Sequence, residues 1–375
     1  MIKKVVLIAV FFVLLSCDFS AHAVDYNEYY NKEFEEHGLE ELEEMLPEEY
    51  KDFFDDLGID ISNFESFENI TAGNIFDLII DLFTGGIKKP FLILAGIVGI
   101  IIVSSTLKSI EPNEFTLGST NETVSAIAVS LMLVSPAIFI FNTAVSSIKT
   151  AAAFTSSFVP VFAAIMVSSG KSVTATLTSG TILLASQVVE QVSAYVVLPF
   201  LAVFLAIGIG SAFYDKLNFS IGAASIKKII TTFMTTVMMI FSGVVSLQNL
   251  IGTASDSFSL RTAKYIAGNT PIIGGAISEA VGIVTTCFTM LKTSAIIYAV
   301  ITFGAILLPI IIEAIIWKIA MYIAQSVASI FGMNKIVSLV ETVGFAFSIV
   351  ITVTINTFIM FVISLTVVAL FGGSI

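Results

Sequence analysis

Four ionisable side chains stand out because they sit inside or beside runs of apolar residues: Glu190, between Gln187 and Gln191; Glu279; and Glu313 with Lys318. A charge placed in hydrocarbon costs about 3 kcal/mol or more, so such groups face a bundle interior or water, and they recur in ion paths, proton relays and polar locks between helices. Glu279 shares a helix face with Gly275 and Gly282, small residues that let a neighbouring helix approach closely. Three readings are open for it: a relay, an interhelical lock, or an interfacial carboxylate near a helix end. Burial is expected for Glu279, whereas Glu190, Glu313 and Lys318 are expected to mark helix ends at the membrane interface. Pro160, Pro199, Pro271 and Pro309 are candidate helix breaks, and Gly274, Gly275 and Gly282 are candidate packing positions.

No constellation for catalysis accompanies these residues. Of the two histidines, His22 falls in the leader and His37 in an acidic segment, so neither a histidine metal cluster nor a Ser-His-Asp set can be assembled in the apolar region. Gly170-Lys171-Ser172 resembles the end of a phosphate-binding loop, but Ile165 stands where the motif requires glycine, and no strand precedes it. The acidic segment lacks the spaced ladder of a calcium loop. The expectation is a protein without catalytic residues, metal or cofactor, and not an enzyme. Cys287 has no mate in the apolar region and reads as a small buried hydrophobe.

The elements that must position these groups are membrane helices. The chain is 56% hydrophobic and 12% charged, with mean hydropathy +0.98, where a soluble domain carries roughly a quarter charged residues. Lys3 and Lys4, the apolar run Val5 to Leu15 and the small residues Ala21 and Ala23 form a cleavable export signal over 1–23. An uncleaved first span, or lipoprotein processing at Cys17, are the other readings; the apolar run is short for the ~30 Å hydrocarbon layer. Cleavage of the leader places the mature N-terminus outside the cytoplasm.

Residues 24–74 form an acidic head. Between Asp25 and Glu68 seventeen Asp and Glu face only Lys32 and Lys51, so the net charge of −12 belongs to this segment alone. Nucleic acid and anionic lipid are repelled by it. Within it Leu39, Leu42, Met45, Leu46, Tyr50, Phe53, Phe54 and Leu57 recur at helical spacing, broken by Pro47, and this stripe packs either on the same protein or on a partner. From Ile75 to Phe83 a second amphipathic stretch, ended by Gly85-Gly86, is expected in the interface plane.

Residues 75–375 read as an all-α, polytopic membrane domain with about seven or eight transmembrane helices plus interfacial helices. The candidate spans are Pro90 to Leu107, Val124 to Ala144, Val173 to Val189, Tyr195 to Phe213, Ile229 to Ile251, Ile272 to Leu291, Ala295 to Ile312 and Val343 to Phe371. Val173 to Val189 has a polar first half, with Thr174, Thr176, Thr178, Ser179 and Thr181, and reads as a span, a half helix or a re-entrant segment. Ser255 to Tyr265 reads as an interfacial helix of its own. Pro160 and Pro199 find counterparts in Pro271 and Pro309 about 110 residues on, which suggests an internal repeat against the alternative of chance matching among apolar helices.

Several stretches together resemble the stage III sporulation protein AE family of endospore-forming bacteria. They are Ile70-Thr71-Ala72-Gly73-Asn74 leading into the Ile75 to Phe83 stretch and the Pro90 span, and above all Ser259 to Ser294, with Arg261-Thr262-Ala263-Lys264, Gly268-Asn269, Pro271 to Ala276 and Leu291-Lys292. The resemblance implies a multi-pass protein of the mother-cell membrane facing the forespore. Its partners would be the lipid bilayer, the other subunits of the mother-cell sporulation complex and forespore proteins, with no nucleic acid. It implies a role in an apparatus that is similar to secretion machines, bridges the two membranes around the forespore and supports forespore development. A stand-alone permease or ion-coupled transporter for a small solute, working past Glu279, is the alternative that the residues themselves leave open.

Overall fold

The computed structural model describes residues 48–59, 66, 72–110, 117–211, 219–268 and 274–372, though not every side chain within them. Their regular structure is helical: α1 (Glu48–Leu57), α2 (Ala72–Gly86), α3 (Lys88–Ile110), α4 (Leu117–Ser168), α5 (Ser172–Val192), a π-helical turn (Ser193–Val197), α6 (Leu198–Ser211), α7 (Phe219–Gly268), α8 (Gly274–Ile330) and α9 (Asn334–Gly372). Six helical runs among the described residues are long and apolar enough to cross a bilayer: Lys88–Lys108, Asn121–Ser168, Ser172–Gly210, Lys228–Asp256, Leu291–Ile330 and Asn334–Thr366. The protein is an all-α polytopic membrane protein. In a medium without water, a helix satisfies its own backbone polar groups, and apolar sequences of this length have no other open form.

The expected boundaries differ in an instructive way. The described parts of Val173 to Val189 and Tyr195 to Phe213 belong to one run, and those of Ile272 to Leu291 and Ala295 to Ile312 both lie in α8. Their separators, around Ser193 and Thr293, contain neither glycine nor proline, so nothing in them stops a helix. Ser255 to Tyr265 likewise continues α7. Consequently α4, α7 and α8 reach 52, 50 and 57 residues. At 1.5 Å per residue these are roughly 75–85 Å long, well over twice a ~30 Å hydrocarbon layer.

The centre is the α8–α9 hairpin. Its turn uses Gly332 at φ 65, with Gly332 N–H donating to Ser329 O and Met333 N–H to Ala328 O, so the last carbonyls of α8 are satisfied as the chain reverses. Phe303 stacks on Phe361 at 4.2 Å and Trp317 meets Phe347 at 5.9 Å, pairs whose members are equidistant along the chain from Gly332. Between them Ala314, Ala320, Ala324 and Ala328 are fully buried and bring the helices close. Helix α4 packs on both, through Phe154 on Phe303 and Phe141 on Phe347, while α3, α5, α6 and α7 surround this core.

The head is anchored to the same core. Phe54 of α1 sits 4.9 Å from the ring of Tyr298 in α8, with Leu57 and Ile59 also buried. The second half of the amphipathic stripe therefore packs on the chain itself; Leu39 to Leu46 and the export signal lie outside the described residues. Helix α2 exposes Phe76, Ile80 and Phe83 on one side, and Gly86 comes against Ile316 of α8.

Candidate functional site

Among the described residues, a set of buried and half-buried polar side chains joins α5 to α7, and it starts from a backbone requirement. Helix α4 stops at Gly170, whose φ of 81 suits glycine; Gly170 N–H donates to Val167 O and Lys171 N–H to Met166 O. The chain turns and α5 begins at Ser172, and Lys171 at the cap position makes no side-chain capping bond. The free N–H groups of the first turn are instead met from across the sequence. Asp256 of α7 accepts from Val173 N–H at 3.0 Å with Oδ1 and from Thr174 N–H at 2.9 Å with Oδ2. A carboxylate there is also favoured by the positive end of the α5 dipole.

Asp256 is 3% exposed and Lys171 7%. Burial lowers the Lys171 pKa, and the nearby Asp256 charge works against that shift. Thus the turn holds a buried opposite-charge pair, the arrangement that makes burying either ion tolerable.

The contact continues along both helices. Thr174, Thr178 and Thr181 recur at helical spacing on one face of α5; Asp256, Gly252, Asn249 and Gln248 do so on α7, running the other way. Thr181 Oγ1 donates to Gln248 Oε1 at 2.5 Å, and Thr178 Oγ1 lies 3.5 Å from Asn249 Oδ1. Asn249 Nδ2 returns to Val245 O at 2.9 Å. Gly252 lets the backbones touch: a Cβ there would stand 2.7 Å from Thr174 Cα. Thr174 Oγ1 lies 2.5 Å from the same point, is buried, and has no hydrogen-bond partner. Asn249, Thr174 and Thr178 are at most 1% exposed.

Beyond the seam, α5 passes into the π turn. Leu198 N–H reaches back to Ser193 O, one residue further than in an α-helix. Pro199 follows; it has no N–H, and its ring would collide with the carbonyl four residues before it in a regular helix. The wider turn accommodates the ring, so the helix passes Pro199 without ending.

The ionisable residues singled out from sequence fall elsewhere. Glu190 lies half-buried in the last turn of α5, from which the run continues through the π turn, and Glu313 and Lys318 lie half-buried within α8, away from its ends, because the flanking sequence there holds no residue that stops the helix. Glu313 stands one turn before the buried Trp317, within electrostatic reach of Lys89 of α3, and Lys318 Nζ is 5.8 Å from the Tyr322 ring centre. Pro160 is exposed within α4, and Pro309 lies inside α8 with no π turn before it, unlike its proposed counterpart Pro199. Helix α8 starts at Gly274, but Pro271, the side chain of Glu279 and the packing of Gly274, Gly275 and Gly282 lie outside what is described.

Asp256, Asn249, Gln248, Gly252 and Lys171 were not among the sequence candidates. Their signal was present: an adjacent Gln-Asn pair inside an apolar window, followed by Gly and Asp at helical spacing, to be matched against the threonines of α5.

Among known families, the sequence model described as Stage III sporulation protein AE matches residues 60–372. A curated relative, "Stage III sporulation protein AE" of Bacillus subtilis (strain 168), is 25% identical over 239 residues; the match covers 62% of this chain and 58% of that relative's length. No solved structure matches the chain.

Proposed function

Because the chain belongs to the stage III sporulation protein AE family, we propose that it is an integral-membrane subunit of the mother-cell sporulation complex that bridges the mother-cell and forespore membranes, in a secretion- or channel-like apparatus required for forespore development. The observation that carries this reading is the extent of the family match, which takes in every described helix from α2 to α9. In this role the protein performs no catalysis. It sits in the mother-cell membrane with its N-terminus outside the cytoplasm, and it works through other subunits and forespore partners.

Two physical features favour a subunit over a self-contained carrier. Helices α4, α7 and α8 are far longer than one bilayer, which provides surface for proteins beyond it. The acidic head is also tethered to the core at Phe54, against Tyr298 of α8, so partners of the head are held close to that helix.

The test is photo-crosslinking from head positions such as Asp52 and Asp55 in sporulating cells, with heat-resistant spore counts for the same strains. Adducts with other sporulation membrane proteins, lost together with spore formation when the chain is deleted, are expected. Saturable solute transport by the purified protein alone in liposomes, abolished by Glu279→Gln, would overturn the subunit reading in favour of a permease.

A further inference from the structure

We propose that Asp256 is a latch: a carboxylate carried by α7 that occupies the anion site at the start of α5, holds the two helices in one register, and releases them when it is lost or displaced.

The α5 N-terminus has the donors of an anion site but no local residue to fill it. Lys171 gives no capping bond, and the acceptor comes from 82 to 83 residues away. Both carboxylate oxygens are engaged, each by one backbone N–H. Charge-assisted bonds of this kind are about twice as strong as neutral ones. A third donor stands beside them, the Thr174 hydroxyl, fully buried, unpartnered and turned toward α7 at Gly252. Withdrawal of the carboxylate would leave two backbone donors unmet beside the unpartnered Thr174 hydroxyl, with the Lys171 ammonium close by.

The surroundings suit a contact that opens. Only 7% of the α7 apolar window is buried, against 72% and 78% for α9 and α8; apart from the seam, α7 lies mainly along α9. On the other side, the π turn at Ser193–Val197 divides α5 from α6, and the Ser193 hydroxyl there is buried without a partner. Such turns are places where a helix changes direction at low cost. Hence opening the seam lets α5, which has little contact with α9, shift against α7 while α7 stays on α9.

The experiment uses the full chain in detergent or liposomes, with Cys17 and Cys287 replaced by Ser and a reporter pair introduced as Thr181→Cys and Gln248→Cys. Oxidative cross-linking of the pair reads the register. Asp256→Ala is expected to slow cross-linking about tenfold or more, the consequence of losing two charge-assisted bonds. Formate, which can occupy the vacated donors, is expected to restore it, and formamide of the same size but no charge is not. Asp256→Asn keeps the side-chain shape and covers the case in which the alanine variant fails to fold; it should cross-link slowly and gain from formate less than alanine does. Parent-rate cross-linking in Asp256→Asn, or equal rescue by formate and formamide, overturns the latch. The readout is made on purified protein, so it stands or falls separately from the role in sporulation.

Discussion

Two antiparallel helix pairs in this protein solve the same problem with different chemistry. In α8–α9, aromatic rings stack across the interface and alanines let the backbones approach. Hydroxyls such as Thr302, Thr354 and Thr357 bond back to their own helix, at 2.9, 3.0 and 2.9 Å. In α5–α7, side chains bond across the interface and a buried carboxylate caps the opposite helix. Lipid is as apolar as leucine, so helices in it are not driven together by the hydrophobic effect; close packing or interhelical hydrogen bonds must do it. The first pair uses packing, spread over many atoms and hard to undo. The second relies on a few polar groups, and removing one changes the balance.

That contrast can be broken most forcefully from the packed side. Phe303→Ala removes the ring between Phe154 and Phe361 and is expected to cost about 3–5 kcal/mol, seen as a lower unfolding midpoint in detergent. Gly252→Ala attacks the polar pair instead. Its new methyl would meet Thr174 backbone, which cannot rotate away, so a loss of about 1–3 kcal/mol is expected, whereas Gly304→Ala in α8 meets only the end of Leu308 at 3.5 Å and should be nearly silent in the same assay. Gly332→Ala has open space around it, so its penalty, about 1–2 kcal/mol, comes from the left-handed backbone alone. Thr181→Val removes a single interhelical bond and should cost only ~0.6 kcal/mol, the usual value for such bonds between membrane helices.

The smallest effect is a pH dependence at the turn between α4 and α5. The Lys171 pKa is lowered in the folded protein, chiefly by burial, so between that value and the ordinary 10.5 the unfolded chain holds a proton that the folded chain has given up. Stability contributed by this group therefore rises with pH across that window and is absent below it. Thermal melts should show a shallower rise toward pH 10.5 for Lys171→Met than for the parent; identical slopes would remove Lys171 from the account.

Much of this was legible in the order of residues. The Tyr50 to Leu57 part of the head's apolar stripe is helical, the Ile75 to Phe83 stretch is helical and reaches Gly86, and the family resemblance carried by Ser259 to Ser294 agrees with the match over 60–372. The threonine-rich start of α5 was visible as an oddity. What it meant was not, because Thr174 and Asp256 are joined only once two helices are placed side by side at a given register. Nor were the helix ends readable near Glu190 and Glu313, where an apolar run interrupted by a few polar residues is compatible with one long helix or two short ones.

The sequence by itself determined the solvent and the secondary structure: hydropathy and charge accumulate residue by residue, and a chain this apolar has to satisfy its backbone within helices. Only the tertiary structure decided which polar groups are satisfied by their own helix and which by another, and so which pair is sealed and which can open. That choice depends on rotation and register between segments distant in the chain, quantities set by packing as a whole and carried by no local stretch of residues.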